Sequence, residues 1–514
     1  MNSRLLKYTL VVCLFKFGTL FAQSAKKQPN IIYIISDDHA AQSIGCYGAE
    51  YKQTPNIDKL ASQGIRFTNA CVNNALCGPS RASFLTGKLS HKNGFKDNTS
   101  TFDGSQDSFV KQLHTNGYQT AWIGKWHLES EPQGFDYWKV LVGQGFYYNP
   151  DFLEINKGKV TDKGYVTDII TDESEKWLDN RDKSKPFCLV VGHKATHRVW
   201  IPEEHVLDDY QFPLPKNFYD TYENRIPAQM QDMNIEKTML LGYDLKINPE
   251  VGQGSENYSR MTPEQKAQFD AYYKPIEKEF LQSKLTGKAL TEWKYQRYMH
   301  DYVSTAVSLD KNIGRLMEYL DKNGLAENTI VVYTSDNGFF LGEHGWFDKR
   351  FMYEESFKVP LIVRYPKIIK PKSVSNELVE SIDFGPTFLE LAGAKIPSDM
   401  QGESIVSMLE NKKKFRDYAY YHYYEWGEHS VVPQFGIKTK RYKIIRFHGP
   451  YNGWEFYDLE KDPSEMKNLY GNPKYKKVID SMKEKLNVVI KKYQDVDAEQ
   501  ILKTEAIPAK KKID

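Results

Sequence analysis

Cysteine is scarce, with five residues in 514. Cys13 lies in the apolar N-terminal run, which leaves Cys46, Cys71, Cys77 and Cys188 without regular spacing. Such a set is no disulfide framework, so the fold is expected to stand without disulfides. Net charge is nearly absent as well, Lys+Arg 69 against Asp+Glu 67. With no global field to attract nucleic acid, an anionic ligand has to be caught by a local pocket. Beyond the N-terminus no apolar run is long enough to span a membrane. A cluster of His and Cys at metal-ligand spacing is missing too, which argues against Zn2+.

What the chain does have begins with a secretory signal pattern over residues 1–22. Arg4 and Lys7 precede an apolar stretch from Tyr8 to Phe21, and Ala22 is placed for cleavage. The expectation is export to the periplasm or the exterior; an uncleaved anchor is the alternative, for which the run is short. The remaining length suffices for a large core. It divides into a unit over 23–395, with an irregular, Tyr-rich insertion at about 200–290, a smaller C-terminal subdomain over 396–495, and a tail over 496–514 whose lysines 510–512 are expected to be disordered. Aromatic content of 14%, with 34 Tyr, suits sugar faces.

Apolar runs that fit strands buried on both faces alternate with helical patterns, which predicts an α/β fold with a mixed, mostly parallel sheet. Short strands near 417–424, 435–438, 442–446 and 455–458 predict a small antiparallel sheet in the C-terminal subdomain. The polar residues gather where strands end. Asn30–Ile35 runs into Ser36-Asp37-Asp38, and Thr329–Thr334 into Ser335-Asp336-Asn337. Adjacent carboxylates at the end of a buried strand are costly unless a cation meets them, and ligands of α/β sheets gather there. Asp37 and Asp38 either hold a cation or cap the following turn. With Asp336 and Asn337 they form an all-oxygen set suited to Ca2+. After the strand Gln119–Ile123, Lys125 and His127 share one face of an extended segment. They fit an oxyanion site with a proton-transfer group, or a solvated Lys beside a hydrogen-bonded His. Cys77 precedes a helix expected to start at Pro79 and stop at Gly87. There it is either placed for anionic chemistry or packed beside a turn.

Cys77-Gly78-Pro79-Ser80-Arg81, followed by Leu85-Thr86-Gly87, resembles the signature of the type I sulfatases. Gly124-Lys125-Trp126-His127-Leu128, Asp336-Asn337-Gly338, the string from Gly342 to Lys349, Tyr353–Ser356 and Asp458–Glu465 carry the resemblance over nearly the whole mature chain. It implies an alkaline-phosphatase-like sandwich. It also implies that a separate formylglycine-generating enzyme oxidises Cys77 to Cα-formylglycine, whose hydrated form is the nucleophile. In this family one Ca2+ per chain is held by the equivalents of Asp37, Asp38, residue 77, Asp336 and Asn337. Lys125 and Lys349 bind the sulfate, Arg81 holds the diol and Asp336 activates it. His197 is the general acid, with His193 as second candidate, and His127 takes a proton back. Glu129 stands where many relatives have Gly, and Thr196 where they have Pro.

The run from Glu129 to Trp138 and the loop from Gly145 to Pro150 are similar to bacterial N-acetylglucosamine-6-sulfatases acting on heparan-type glycosaminoglycans. This implies a sulfated oligosaccharide as substrate and goes with a monomer. His429, His448, Trp454 and Glu455 either face the sugar from the C-terminal unit or are ordinary packed or surface residues, and His344 either lines the cleft or supports its loop. The alternatives are another sugar position such as the 6-sulfate of galactose or mucin glycans, an aryl sulfate, a phosphonate or phosphate ester, or a non-catalytic glycan-binding protein.

Overall fold

The computed structural model describes residues 28–252, 255–410 and 415–504. The signal segment and the lysine-rich end fall outside them. The central strand β1 (Asn30–Ser36) alternates its side chains between two cores. Ile31, Tyr33 and Ile35 face one, and Ile32 and Ile34 the other. A strand buried on both faces has to be apolar throughout, which accounts for the unbroken run.

Further strands extend the sheet: β2 (Ile65–Cys71), β3 (Gln119–Gly124), β4 (Tyr137–Leu141), β5 (Asp151–Glu154), β6 (Gly158–Thr161) and β7 (Phe187–Gly192). They continue with β8 (Thr329–Ser335), then a two-stranded ribbon of β9 (Phe340–Leu341) and β10 (Phe347–Asp348), then β11 (Leu361–Arg364) and β12 (Ser373–Glu380). The large sheet has ten strands in the order β12-β2-β11-β8-β1-β7-β3-β4-β5-β6. Its centre, β8-β1-β7-β3, is parallel, while β11 runs antiparallel to both its neighbours and β4-β5-β6 form an antiparallel edge. Helices Cys77–Thr86, Phe109–Thr115 and Phe384–Ala392 pack Phe84, Phe109 and Phe388 on one face. Helices Pro55–Ser62, Val166–Asn180 and Gly287–Lys322 pack Ile57, Ile170, Leu309 and Ile313 on the other.

The C-terminal subdomain is an antiparallel sheet of β13 (Ala419–Tyr423), β14 (Gln434–Lys438), β15 (Tyr442–Phe447) and β16 (Gly453–Asp458), backed by the helix Lys476–Tyr493. The α/β reading and the two-sheet layout therefore hold. Several local expectations differ. The helix placed at Pro79 starts at Cys77, and the start of the supposed tail is a helix, Val496–Ile501, capped by Asp495 and anchored by buried Ala498. At the start of the helix Pro55–Ser62, Asp310 of the long helix accepts from the Asn56 and Ile57 N–H. The four Cys of the described chain, Cys46, Cys71, Cys77 and Cys188, are free.

A buried ion cluster joins the two units. Lys443 on β15 is fully buried and reaches Glu354 at 2.9 Å, Glu465 at 2.7 Å and the Met352 carbonyl at 2.6 Å. Removing one member of such a cluster leaves the others buried and uncompensated. Lys443→Met is expected to cost about 3–5 kcal/mol of stability, read as a fall in the urea midpoint at unchanged slope.

Candidate active site

The four central strands end together. Register pairs Ser36 with Ser335 and Gly124 with Gly192, so the segments that follow β1, β8, β3 and β7 emerge side by side. The pair Gly124 and Gly192 is a close approach: a Cβ on Gly124 would sit 2.0 Å from the Gly192 carbonyl oxygen, at φ +98. Sequence period thereby becomes position, bringing Asp37-Asp38, Asp336-Asn337, Lys125-His127 and residues 193–197 to one edge.

The carboxylates of Asp37, Asp38 and Asp336 and the Cys77 sulfur lie within 4.8 Å of one another. Each carboxylate has its own cation. Lys125 donates to Asp37. Lys349 donates to both oxygens of Asp38, at 2.6 and 2.7 Å. Arg81 reaches Asp336 through Nε at 2.9 Å and Nη2 at 2.8 Å. All six side chains are buried. Burial favours the neutral carboxyl, but Lys125 and its neighbours win at Asp37 and hold it well below the usual range. Burial wins at Asp336, helped by the Asp37 charge, and pushes it up to about 7.

Among the described residues two buried oxygens here have no hydrogen-bond partner: Asp37 Oδ1 and Asn337 Oδ1. Orphaned oxygens beside packed carboxylates are the donor set of a hard divalent cation such as Ca2+, so these residues fit one.

Cys77 opens its helix with its thiol buried, and Asn98 Oδ1 caps that end by accepting from the Gly78 N–H at 3.1 Å. Burial pushes the thiol well above its ordinary pKa against the pull of Lys125 and Lys349. A protonated thiol is a weak nucleophile, so the sulfur marks a position rather than a ready reagent.

His197 Nε2 lies 3.8 Å from Asp38 Oδ2 and within the Asp37–Cys77 cluster. His193 lies apart, buried with both ring nitrogens unpartnered. His127 accepts from Gln144 Nε2 at 3.2 Å, and burial with the Lys125 charge keeps it neutral.

Sequence reasoning missed the hub of this wall. Gln144 also accepts from Lys125 Nζ at 2.6 Å, and its carbonyl accepts from Lys194 Nζ at 3.1 Å. Burial and the Lys125 charge push the Lys194 ammonium down to about 7. The flanking Gly143 and Gly145, both at positive φ, were the visible sign of a shaped loop.

The expected sugar contacts divide. His429 reaches the cleft wall, with Nε2 2.9 Å from Asp348 Oδ2 beside Lys349, and it lines a cavity with Arg198, Asp232 and Tyr243. The other four make packing contacts instead, and of the two readings of His344 the structure bears out the loop support. His344 is buried, bound to Asp220 at 2.6 Å, and supports its loop. Trp454 is packed under Tyr470 and the Lys483 ammonium. Glu455 is sealed between the Tyr353 and Tyr457 hydroxyls at 2.9 and 2.7 Å. His448 packs against His422 and Phe435 on the C-terminal sheet. The reasons differ: Trp454 joins the core between the C-terminal sheet and its helix, Glu455 meets Tyr353 of the large unit, and His344 is fixed by Asp220 between β9 and β10.

A family model described as sulfatase matches residues 29–394, and one described as N-sulphoglucosamine sulphohydrolase, C-terminal, matches 342–492. The chain is 50% identical over 493 residues to an N-acetylglucosamine-6-O-sulfatase of Bacteroides thetaiotaomicron, covering 92% of this chain and 88% of that protein. A solved structure in complex with its substrate D-glucosamine-2-N,6-O-disulfate superposes with a TM-score of 0.90 at 50% identity, over 92% of this chain and 99% of the other. A phosphonate monoester hydrolase of Agrobacterium radiobacter, at 19% identity and a TM-score of 0.67 over 91% and 96% of the chains, shares the fold. With its site residues gathered at one sheet edge and a family model covering most of its length, the chain belongs to the sulfatase family and is a sulfuric ester hydrolase.

Proposed function

We propose that the chain is exported and removes the 6-O-sulfate of N-acetylglucosamine or N-sulfated glucosamine at the non-reducing end of heparan-type fragments. The observation that carries this reading is the meeting of Cys77, three carboxylates and three cations at one buried point, in a chain half identical to an N-acetylglucosamine-6-O-sulfatase. Cα-formylglycine at position 77 would supply a hydrated aldehyde oxygen as nucleophile, and Ca2+ held by Asp37, Asp38, Asp336 and Asn337 would supply positive charge toward a sulfate oxygen.

The chain's own groups do the rest. Lys125 and Lys349 face residue 77 and hold sulfuryl oxygens, where negative charge grows as the S–O bond lengthens. Arg81, fixed by Asp336 and by the Lys125 carbonyl at 2.8 Å, keeps residue 77 in place. His197 gives a proton to the departing sugar oxygen from Nε2. Burial, helped by the Lys125, Lys349 and Lys194 charges, holds this ring neutral against the pull of Asp37, and the negative charge of a bound sulfate favours its protonated form. His127 is neutral, and its buried Nδ1 has no protein partner, so it can move a proton away from residue 77.

Protein matured with a formylglycine-generating enzyme is expected to desulfate N-acetylglucosamine-6-sulfate, with galactose-6-sulfate, an aryl sulfate and a phosphonate ester as comparisons. Turnover confined to one of the comparisons would overturn the substrate assignment. Cys77→Ala should lower kcat at least about 10^3-fold, as loss of a nucleophile does. His197→Asn should lower kcat about 10^2-fold on the sugar ester and much less on an aryl sulfate, whose leaving group needs no proton. Adding Ca2+ to metal-stripped protein should raise Tm, and Asp336→Asn should blunt that rise, both read by calorimetry.

A further inference from the structure

The cations of this site are paired almost without exception. Lys125, Lys349 and Arg81 each hold a carboxylate, Arg198 binds Asp244 at 2.6 Å, and Arg350 binds Asp348 at 2.5 Å. Lys194 is different. It is 2% exposed, its Nζ donates one hydrogen bond, to the Gln144 carbonyl, and it sits 4.9 Å above the Tyr147 ring. Among the described residues no carboxylate comes within ion-pair distance of it. A buried ammonium has three donors to satisfy, and leaving it without a counter-charge is expensive.

The space in front of it has a shape. Lys194 lines a cavity of about 240 Å3 with Gln144, Phe146, His197, Arg198 and Tyr243. Cys77, Lys125 and Lys349 are not in that lining but His197 and Gln144 are, so the cavity adjoins the cluster around residue 77 without containing it. It shares Arg198, Tyr243 and Glu256 with the lining of a second cavity of about 540 Å3, which is also lined by Asp232 and His429. Glu256, the one acidic side chain in the first lining, is exposed to solvent.

We propose that Lys194 is the receptor for a second anionic group of the substrate, separate from the sulfate being hydrolysed. The group is a sulfo substituent on the same sugar or a carboxylate on the next one. Both present oxygens that an ammonium can bind by charge-assisted hydrogen bonds. The inference deepens the substrate reading above and rests on it.

The test compares matured wild type, Lys194→Met and Lys194→Arg on three substrates. They are N-acetylglucosamine-6-sulfate, glucosamine-2-N,6-O-disulfate, and a disaccharide joining N-acetylglucosamine-6-sulfate to a uronic acid. Wild type is expected to favour one anionic substrate over the first by about tenfold in kcat/KM, the worth of a hydrogen bond to a charged group. Lys194→Met should cancel that ratio, and Lys194→Arg should keep part of it. The substrate whose advantage disappears identifies the group bound. Ratios that are the same in wild type and Lys194→Met overturn the inference while leaving the substrate reading intact. Wild type that desulfates none of the three overturns the reading, and the inference with it.

Discussion

Three carboxylates buried within a few ångströms of one another would repel strongly if left alone, and the architecture at the sheet edge follows from that constraint. Each is met by a cation from a different part of the chain: Lys125 after β3, Lys349 after β10, and Arg81 in the helix that starts at Cys77. The cations cannot be delivered by one local motif, because one short segment cannot surround a point. They come from three segments that only the folded sheet brings together. The same charges that hold the carboxylates are the ones a sulfate ester would meet, so stability and chemistry draw on one set of ion pairs.

The fold was legible where the chain obeys one rule at a time. β1, β7 and β8 read as doubly buried strands because both their faces are covered by helices, and the chain then has no polar position to spare. The oxygen residues were legible because they stand at the ends of β1 and β8, and Lys125 because it follows β3, whereas Arg81 and Lys349 were legible only through the sulfatase resemblance. The edge strands β4, β5 and β6 were harder, since Gly158–Thr161 is largely exposed and carries no apolar signal. Strand β12 was missed for the same reason over its first five residues.

The sugar-facing residues were the least legible. An aromatic or a His in a short C-terminal strand has the same local sequence whether it points into a cleft or into its own sheet. Trp454 is covered because β16 packs against the helix Lys476–Tyr493, and Glu455, on the opposite face of the strand, is held by Tyr353 and Tyr457; both are facts of tertiary contact and not of pattern. Gln144 and Lys194 were passed over for the converse reason. Each is an ordinary residue type in an irregular stretch, and its meaning comes from what lies across the gap: Lys125 and His127 for Gln144, an open cavity for Lys194.

The Lys443 cluster ties Glu354 to the C-terminal sheet, and Glu354 lies five residues after Lys349 in the same segment. The smaller unit is therefore a brace for the segment that carries Lys349 and not an appendage. A gene cut near residue 395 would strip the buried counter-charges Lys438 and Lys443 from Glu354, leaving only the half-buried Lys358, and loosen the segment that carries Lys349.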